Sequence, residues 1–69
     1  MSKRKSSIGK NIKKYREKLG ISQDKLSKSA GITLHTITKI ESDTTPVQEL
    51  KQLKIADVLG ISVDDLLKS

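Results

Sequence analysis

The segment "LHTITKIES", Leu34 to Ser42, gathers the side chains of this chain best suited to specific recognition. Read as a helix with Ile37 central to its buried side, it keeps Ile40, Glu41 and Thr33 on that side. His35, Thr38, Lys39 and Ser42 form the opposite ridge, with Leu34 and Thr36 at its margins. An imidazole, an ammonium, hydroxyls and a branched aliphatic are groups that can address base edges in a major groove. The ridge holds no acid, although 32% of the chain is charged, and an ordinary solvated face would be expected to include Asp or Glu. A lone surface imidazole is commonplace, so His35 gains meaning only from this company. Catalysis has little to work with. One His and no Cys leave no nucleophile–base constellation and no second ligand to share a metal ion, so no cofactor is expected.

Short helices must hold that ridge in place. A phrase of Gly-Ile, then Ser or Thr, then a later aliphatic occurs three times: "GISQDKL" from Gly20, "GITLHTI" from Gly31 and "GISVDDL" from Gly60. Each reads as the end of one helix and the start of the next. Gly takes the left-handed position past a helix end, and Ser22, Thr33 or Ser62 caps the following helix. The pairs Ile21/Leu26, Ile32/Ile37 and Ile61/Leu66 bracket those caps as hydrophobic staples. Asp65 stands three residues after Ser62, close to a capping box.

Upstream, Ile8, Ile12, Tyr15 and Leu19 fall on one face of a helix capped by Ser7. Downstream, "SDTTP" reads as a loop closed by Pro46. Leu50, Leu53, Ala56 and Leu59 then recur at threes, flanked by Ile55 and Val58. The spacing predicts helices over 8–19, 23–30, 34–42, 47–59 and 63–68, with no strand. Helices 23–30 and 34–42, joined by a short Gly-containing turn, have the helix-turn-helix form. The fold class expected is all-α, a compact five-helix bundle.

Sixty-nine residues make one small domain, which buries only about 60% of its unfolded surface and must use its core economically. Its 33% apolar content is almost wholly aliphatic, with one Tyr and no Phe or Trp, and there is no Cys to add a disulfide. No apolar run approaches a membrane span, and no signal peptide follows Met1, so a cytoplasmic protein of bacterial or phage origin is expected.

Residues 1–18 carry eight Lys or Arg against one acid, whereas residues 42–69 carry three against five. One end is strongly cationic, which suits a polyanion. Residues 1–6, with Lys3, Arg4 and Lys5, read as a basic, flexible arm ahead of a domain over 7–69, and Lys10, Lys13 and Lys14 extend its charge into the first helix. Asp64 and Asp65 fit as dipole partners at a helix start.

"LGISQDKLSKSAGITLHTITKIES", residues 19–42, resembles the helix-turn-helix of the Cro/phage-repressor (Xre-like) family, through Gln23, Leu26, Ser27, Gly31, Ile32, Ile37, Ile40 and Glu41. The ending "IADVLGISVDDLL" is similar to that family's closing helices. The resemblance implies a phage-repressor-type DNA-binding fold and a transcriptional regulator, a repressor, that binds a palindromic double-stranded operator as a homodimer. It implies base reading by Leu34, His35 and Lys39. Backbone or thymine-methyl contacts would come from Gln23, Thr33, Thr36, Thr38, Ser42 and the lysines of helix one. Arg16 and Glu41 would form an ion pair locking helix one to the recognition helix. The dimer contact is expected around Val47, Val58, Ile61 and Val63. Two departures stand out: Asp43 in the loop after Glu41 would repel phosphate, and Gln52 replaces a customary aliphatic. A rival implication of the same fold is an antitoxin or adaptor that holds a partner protein.

Overall fold

The computed structural model describes residues 8–42 and 46–68, which form five helices. They are α1 (Ile8–Leu19), α2 (Gln23–Ala30), α3 (Leu34–Ser42), α4 (Glu49–Leu59) and α5 (Val63–Leu67). The Ser7 cap, the basic arm and the Asp43 loop position lie outside the described residues.

Local chemistry sets the breaks between helices. Gly20, Gly31 and Gly60 adopt φ of 70°, 69° and 71°, the left-handed region where a side chain is penalised. Each following Ile N–H then reaches back to a carbonyl five residues earlier: Ile21 to Arg16, Ile32 to Ser27 and Ile61 to Ala56. That bond satisfies carbonyls the helix end would orphan. Ser22 Oγ accepts from the Lys25 N–H at 3.0 Å and Ser62 Oγ from the Asp65 N–H at 3.0 Å. Thr33 Oγ1 accepts from the Thr36 N–H at 3.3 Å. All three caps form as the sequence predicts.

Each helix supplies one fully buried aliphatic: Ile12, Leu26, Ile37, Ile55 and Leu66. Burying such a side chain is worth about 1.5–3 kcal/mol, so these five form the centre of the bundle. Around it α1 packs on α3, α4 and α5, α2 on α3 and α4, and α4 on α5. Asn11 Nδ2 donates to the Leu66 carbonyl at 2.8 Å and also to that of Lys68, fastening the end of α5 to α1.

Four expectations need correction. Leu19 is 53% exposed, because the buried face of α1 runs through Gly9, Ile12 and Arg16 instead. Leu50 and Leu53 are also exposed, and Ile55, Ala56 and Leu59 form the buried side of α4. That helix starts at Glu49 rather than residue 47, since Gln48 is still extended (φ −61°, ψ 147°). Gln52 settles the register: its Nε2 donates to the Val47 carbonyl at 2.8 Å, a polar task an aliphatic could not perform. At the other end α5 stops at Leu67, where Lys68 turns extended (ψ 141°).

Candidate nucleic-acid interface

The turn between α2 and α3 needs only Gly31, Ile32 and Thr33, and Ile32 is buried beside Leu26, Ile37 and Ile40. Burial of Ile37 and Ile40 decides which way α3 faces. His35, Thr38, Lys39 and Ser42 are exposed, Leu34 is 44% exposed, and Thr36 is half-buried. Neither His35 nor Lys39 makes a hydrogen bond or ion pair with another described residue. Among the described residues, nothing takes up their polar atoms, and an external partner could.

Behind this face lies a buried polar anchor. Arg16 Nε donates to Glu41 Oε2 at 2.9 Å and its Nη2 to Oε1 at 3.0 Å, while Nη1 donates to the Ile21 carbonyl at 2.9 Å. The side chains of Arg16 and Glu41 are 10% and 3% exposed. Such a forked pair fixes direction as well as distance, and it joins α1 to the last turn of α3. The hydrogen bonds with Glu41 raise the Arg16 pKa above its ordinary value, outweighing the opposing effect of burial. An upward shift for a cation means the contribution is full below arginine's ordinary range and lost only in strong alkali.

Gln23 joins this anchor, a link the sequence did not show. Its Nε2 donates to Glu41 Oε1 at 3.0 Å, and its Oε1 lies 3.5 Å from Thr38 Oγ1, too far to compete with the 2.9 Å bond that hydroxyl makes to the Leu34 carbonyl. An amide NH₂ has two hydrogens, so the second is left for an outside acceptor.

Hydroxyl accounting separates the threonines and serine of this face. Thr38 Oγ1 donates to the Leu34 carbonyl at 2.9 Å, and Ser42 Oγ to the Thr38 carbonyl at 2.8 Å. Each hydroxyl has one proton, so both are committed inside α3. Thr33 Oγ1 donates to Thr36 Oγ1 at 2.8 Å. Of these hydroxyls, Thr36 alone donates to no acceptor among the described residues, which makes it the one best able to donate outward.

An open groove of about 330 Å³ runs beside α3, between His35, Thr36 and Lys39 on one side and Pro46, Gln48 and Lys51 on the other. Lys51 adds a cation to this face that the sequence reading overlooked, because the loop register hid its proximity to α3. On α1, Lys10, Lys13 and Lys14 are exposed and share an outward face with Lys18. Gly9 sits on the opposite side, against the α3 backbone at Ile40 and Glu41. Of the residues expected at a protomer contact, Val47 is only 9% exposed and belongs to the core, while Val58, Ile61 and Val63 are half-buried against it. The arm residues Lys3, Arg4 and Lys5 lie outside the described residues.

Residues 9–69 match the Helix-turn-helix domain family, and the chain belongs to it, as a helix-turn-helix DNA-binding domain of the Cro/phage-repressor (Xre-like) type. A similar relative is an uncharacterized HTH-type transcriptional regulator of Sinorhizobium medicae, 38% identical over 56 residues. That match covers 81% of this chain and 40% of the relative, so the chain spans about two fifths of the length of the curated relatives it matches. Among solved structures, the N-terminal DNA-binding domain of SinR from Bacillus subtilis is 33% identical with a TM-score of 0.85. The match covers 93% of this chain and 94% of that one. SinR, the master regulator for biofilm formation, solved in complex with DNA, is 34% identical with a TM-score of 0.84, over 88% of this chain and 98% of that one.

Proposed function

We propose that this chain is the sequence-specific, double-stranded DNA-binding part of a transcriptional regulator, acting as a repressor by occupying a palindromic operator as a homodimer. The observation that carries this is the outward face of α3. It is free of acids, its His35 and Lys39 make no hydrogen bond or ion pair among the described residues, and it is held by the Arg16–Glu41–Gln23 anchor behind it. The likeness to SinR, solved in complex with DNA and 34% identical over 88% of this chain, supports duplex DNA as the partner.

Roles follow from chemistry. Lys39 donates to guanine O6 or N7, His35 donates or accepts according to its tautomer, and Leu34 meets a thymine methyl. Gln23, through its spare amide hydrogen, and Thr36 donate to phosphates, joined by Lys10, Lys13, Lys14 and Lys51. Thr33 positions Thr36, and Thr38 and Ser42 contribute contact surface rather than donated bonds. The arm residues Lys3, Arg4 and Lys5 add phosphate contacts, each releasing counterions with about 0.9 in the salt slope per phosphate neutralised. Action on DNA places the working protein in the cytoplasm, at the bacterial nucleoid or a phage chromosome. Among the described residues no helix is long and apolar enough to cross a membrane.

The test is selection of bound sequences from random duplexes, followed by titration of Lys39→Ala. A defined two-fold motif should emerge, and the variant should lose about 1–3 kcal/mol on it and little on random duplex. Equal loss on both would remove Lys39 from base reading. The rival role, holding a partner protein as antitoxin or adaptor, predicts no motif and no duplex shift by the purified chain alone.

A further inference from the structure

The outward side of α4 exposes apolar surface that the bundle does not use. Leu50 is 61% exposed and Leu53 57%. With Lys54 and Asp57 they fall at i, i+3, i+4 and i+7, one continuous helix stripe, opposite the buried Ile55 and Leu59. Lys54 and Asp57 are exposed, and neither takes part in an ion pair among the described residues. Half-buried Val58 flanks the stripe toward its far end.

This stripe is complementary to itself. If a second α4 lies antiparallel about a two-fold axis level with Ile55 and Ala56, Lys54 comes level with the second copy's Asp57, and Asp57 with its Lys54. Leu53 comes level with the second copy's Val58. One register therefore matches both charge pairs and an apolar pair on each side of the axis, as a two-fold contact requires. The domain is 34 Å at its longest, so copies on half-sites about 34–36 Å apart are close enough to touch.

We propose that the Leu50–Leu53–Lys54–Asp57 face of α4 is the contact with a second copy of this chain, which rests on the two-fold operator reading above. Two partly exposed leucines on each side supply far less than the roughly 1,200–2,000 Å² of a standard stable interface. The contact is accordingly weak in free solution and becomes effective when DNA holds two copies side by side at high local concentration. It replaces Val47, which the core already occupies.

The test compares duplexes carrying one or two half-sites of the selected motif. Lys54→Asp and Asp57→Lys should each cut the cooperativity of two-site binding by about tenfold or more, part of the roughly 10²–10⁴ that a linked second contact can provide. The double variant K54D/D57K should restore it, because it recreates both opposite-charge pairs. General attraction to DNA predicts something else: Lys54→Asp weakens and Asp57→Lys strengthens binding, with cooperativity unchanged. That pattern, or failure of the double variant to rescue, overturns the proposal. Leu50→Ser/Leu53→Ser should abolish cooperativity while single-site binding and the thermal melt persist.

A parent chain that bound no duplex would defeat the DNA reading instead, and DNA-free NMR would then decide the α4 contact. Amide shifts that move with protein concentration up to the millimolar range, confined to the 49–61 face, support it. Shifts located elsewhere, or none, overturn it.

Discussion

Gly9 gives the sharpest perturbation of the packing that aims α3. In an ordinary helix interior, replacing Gly with Ala gains about 0.5–1 kcal/mol from backbone entropy. Here a Cβ would press into the Ile40 carbonyl oxygen, 3.2 Å from its carbon and 3.4 Å from Glu41 Cα. All three atoms are backbone in the last turns of α3 and cannot rotate aside, so α1 and α3 must separate. Overpacking of this kind costs about 1–3 kcal/mol, which exceeds the helix gain and reverses its sign. With about 4–8 °C of Tm per kcal/mol in a domain this small, Gly9→Ala should melt roughly 5–15 °C lower by far-UV circular dichroism. Lys14→Ala, exposed on the same helix, serves as the control and should leave the melt nearly unchanged. Operator binding should also weaken in Gly9→Ala at temperatures where it is fully folded, because the end of α3 is displaced. A variant that melts at or above the parent would refute the claim that α1 and α3 meet through Gly9.

Further outcomes follow from the same contacts. Glu41→Ala strands the buried Arg16 guanidinium and should cost about 3–5 kcal/mol in chemical denaturation, whereas Arg16→Met with Glu41→Leu should recover most of it. Thr36→Val should weaken duplex binding several-fold, while Thr38→Val and Ser42→Ala, whose hydroxyl protons already serve α3 carbonyls, should change it less than about twofold. Deleting residues 1–6 should weaken every duplex and lower the salt slope by up to about 2.7, from three cations at about 0.9 each. An unchanged slope would show that the arm does not touch phosphates.

What the sequence disclosed was mostly local. The Gly-Ile-Ser/Thr phrase specifies a left-handed exit, a cap and a staple within seven residues, so all five helices and the turn before α3 were legible. The orientation of α3 was legible too, since Ile37 and Ile40 leave only one way to bury it. Features resting on distant neighbours were not. In α4 the threes of Leu50, Leu53, Ala56 and Leu59 drew one face, but burial follows Ile55, Ala56 and Leu59, and periodicity in an apolar-rich helix cannot choose between them. Gly9 looks in sequence like a flaw in a helix, and only the nearness of Ile40 shows why a larger residue is excluded. The Gln23–Glu41 bond and the place of Lys51 beside His35 likewise depend on how separate helices meet.

The central claim is that α3 enters a duplex groove with its His35–Lys39 side leading. Chemical-shift mapping of the isotope-labelled chain against the selected operator, with a scrambled duplex as control, tests it most directly. The account predicts the largest operator-specific changes at residues 34–39, weaker ones at Gln23 and the α1 lysines, and little at Leu66 or Asn11. Changes centred on α4 or α5, with α3 silent, would contradict it.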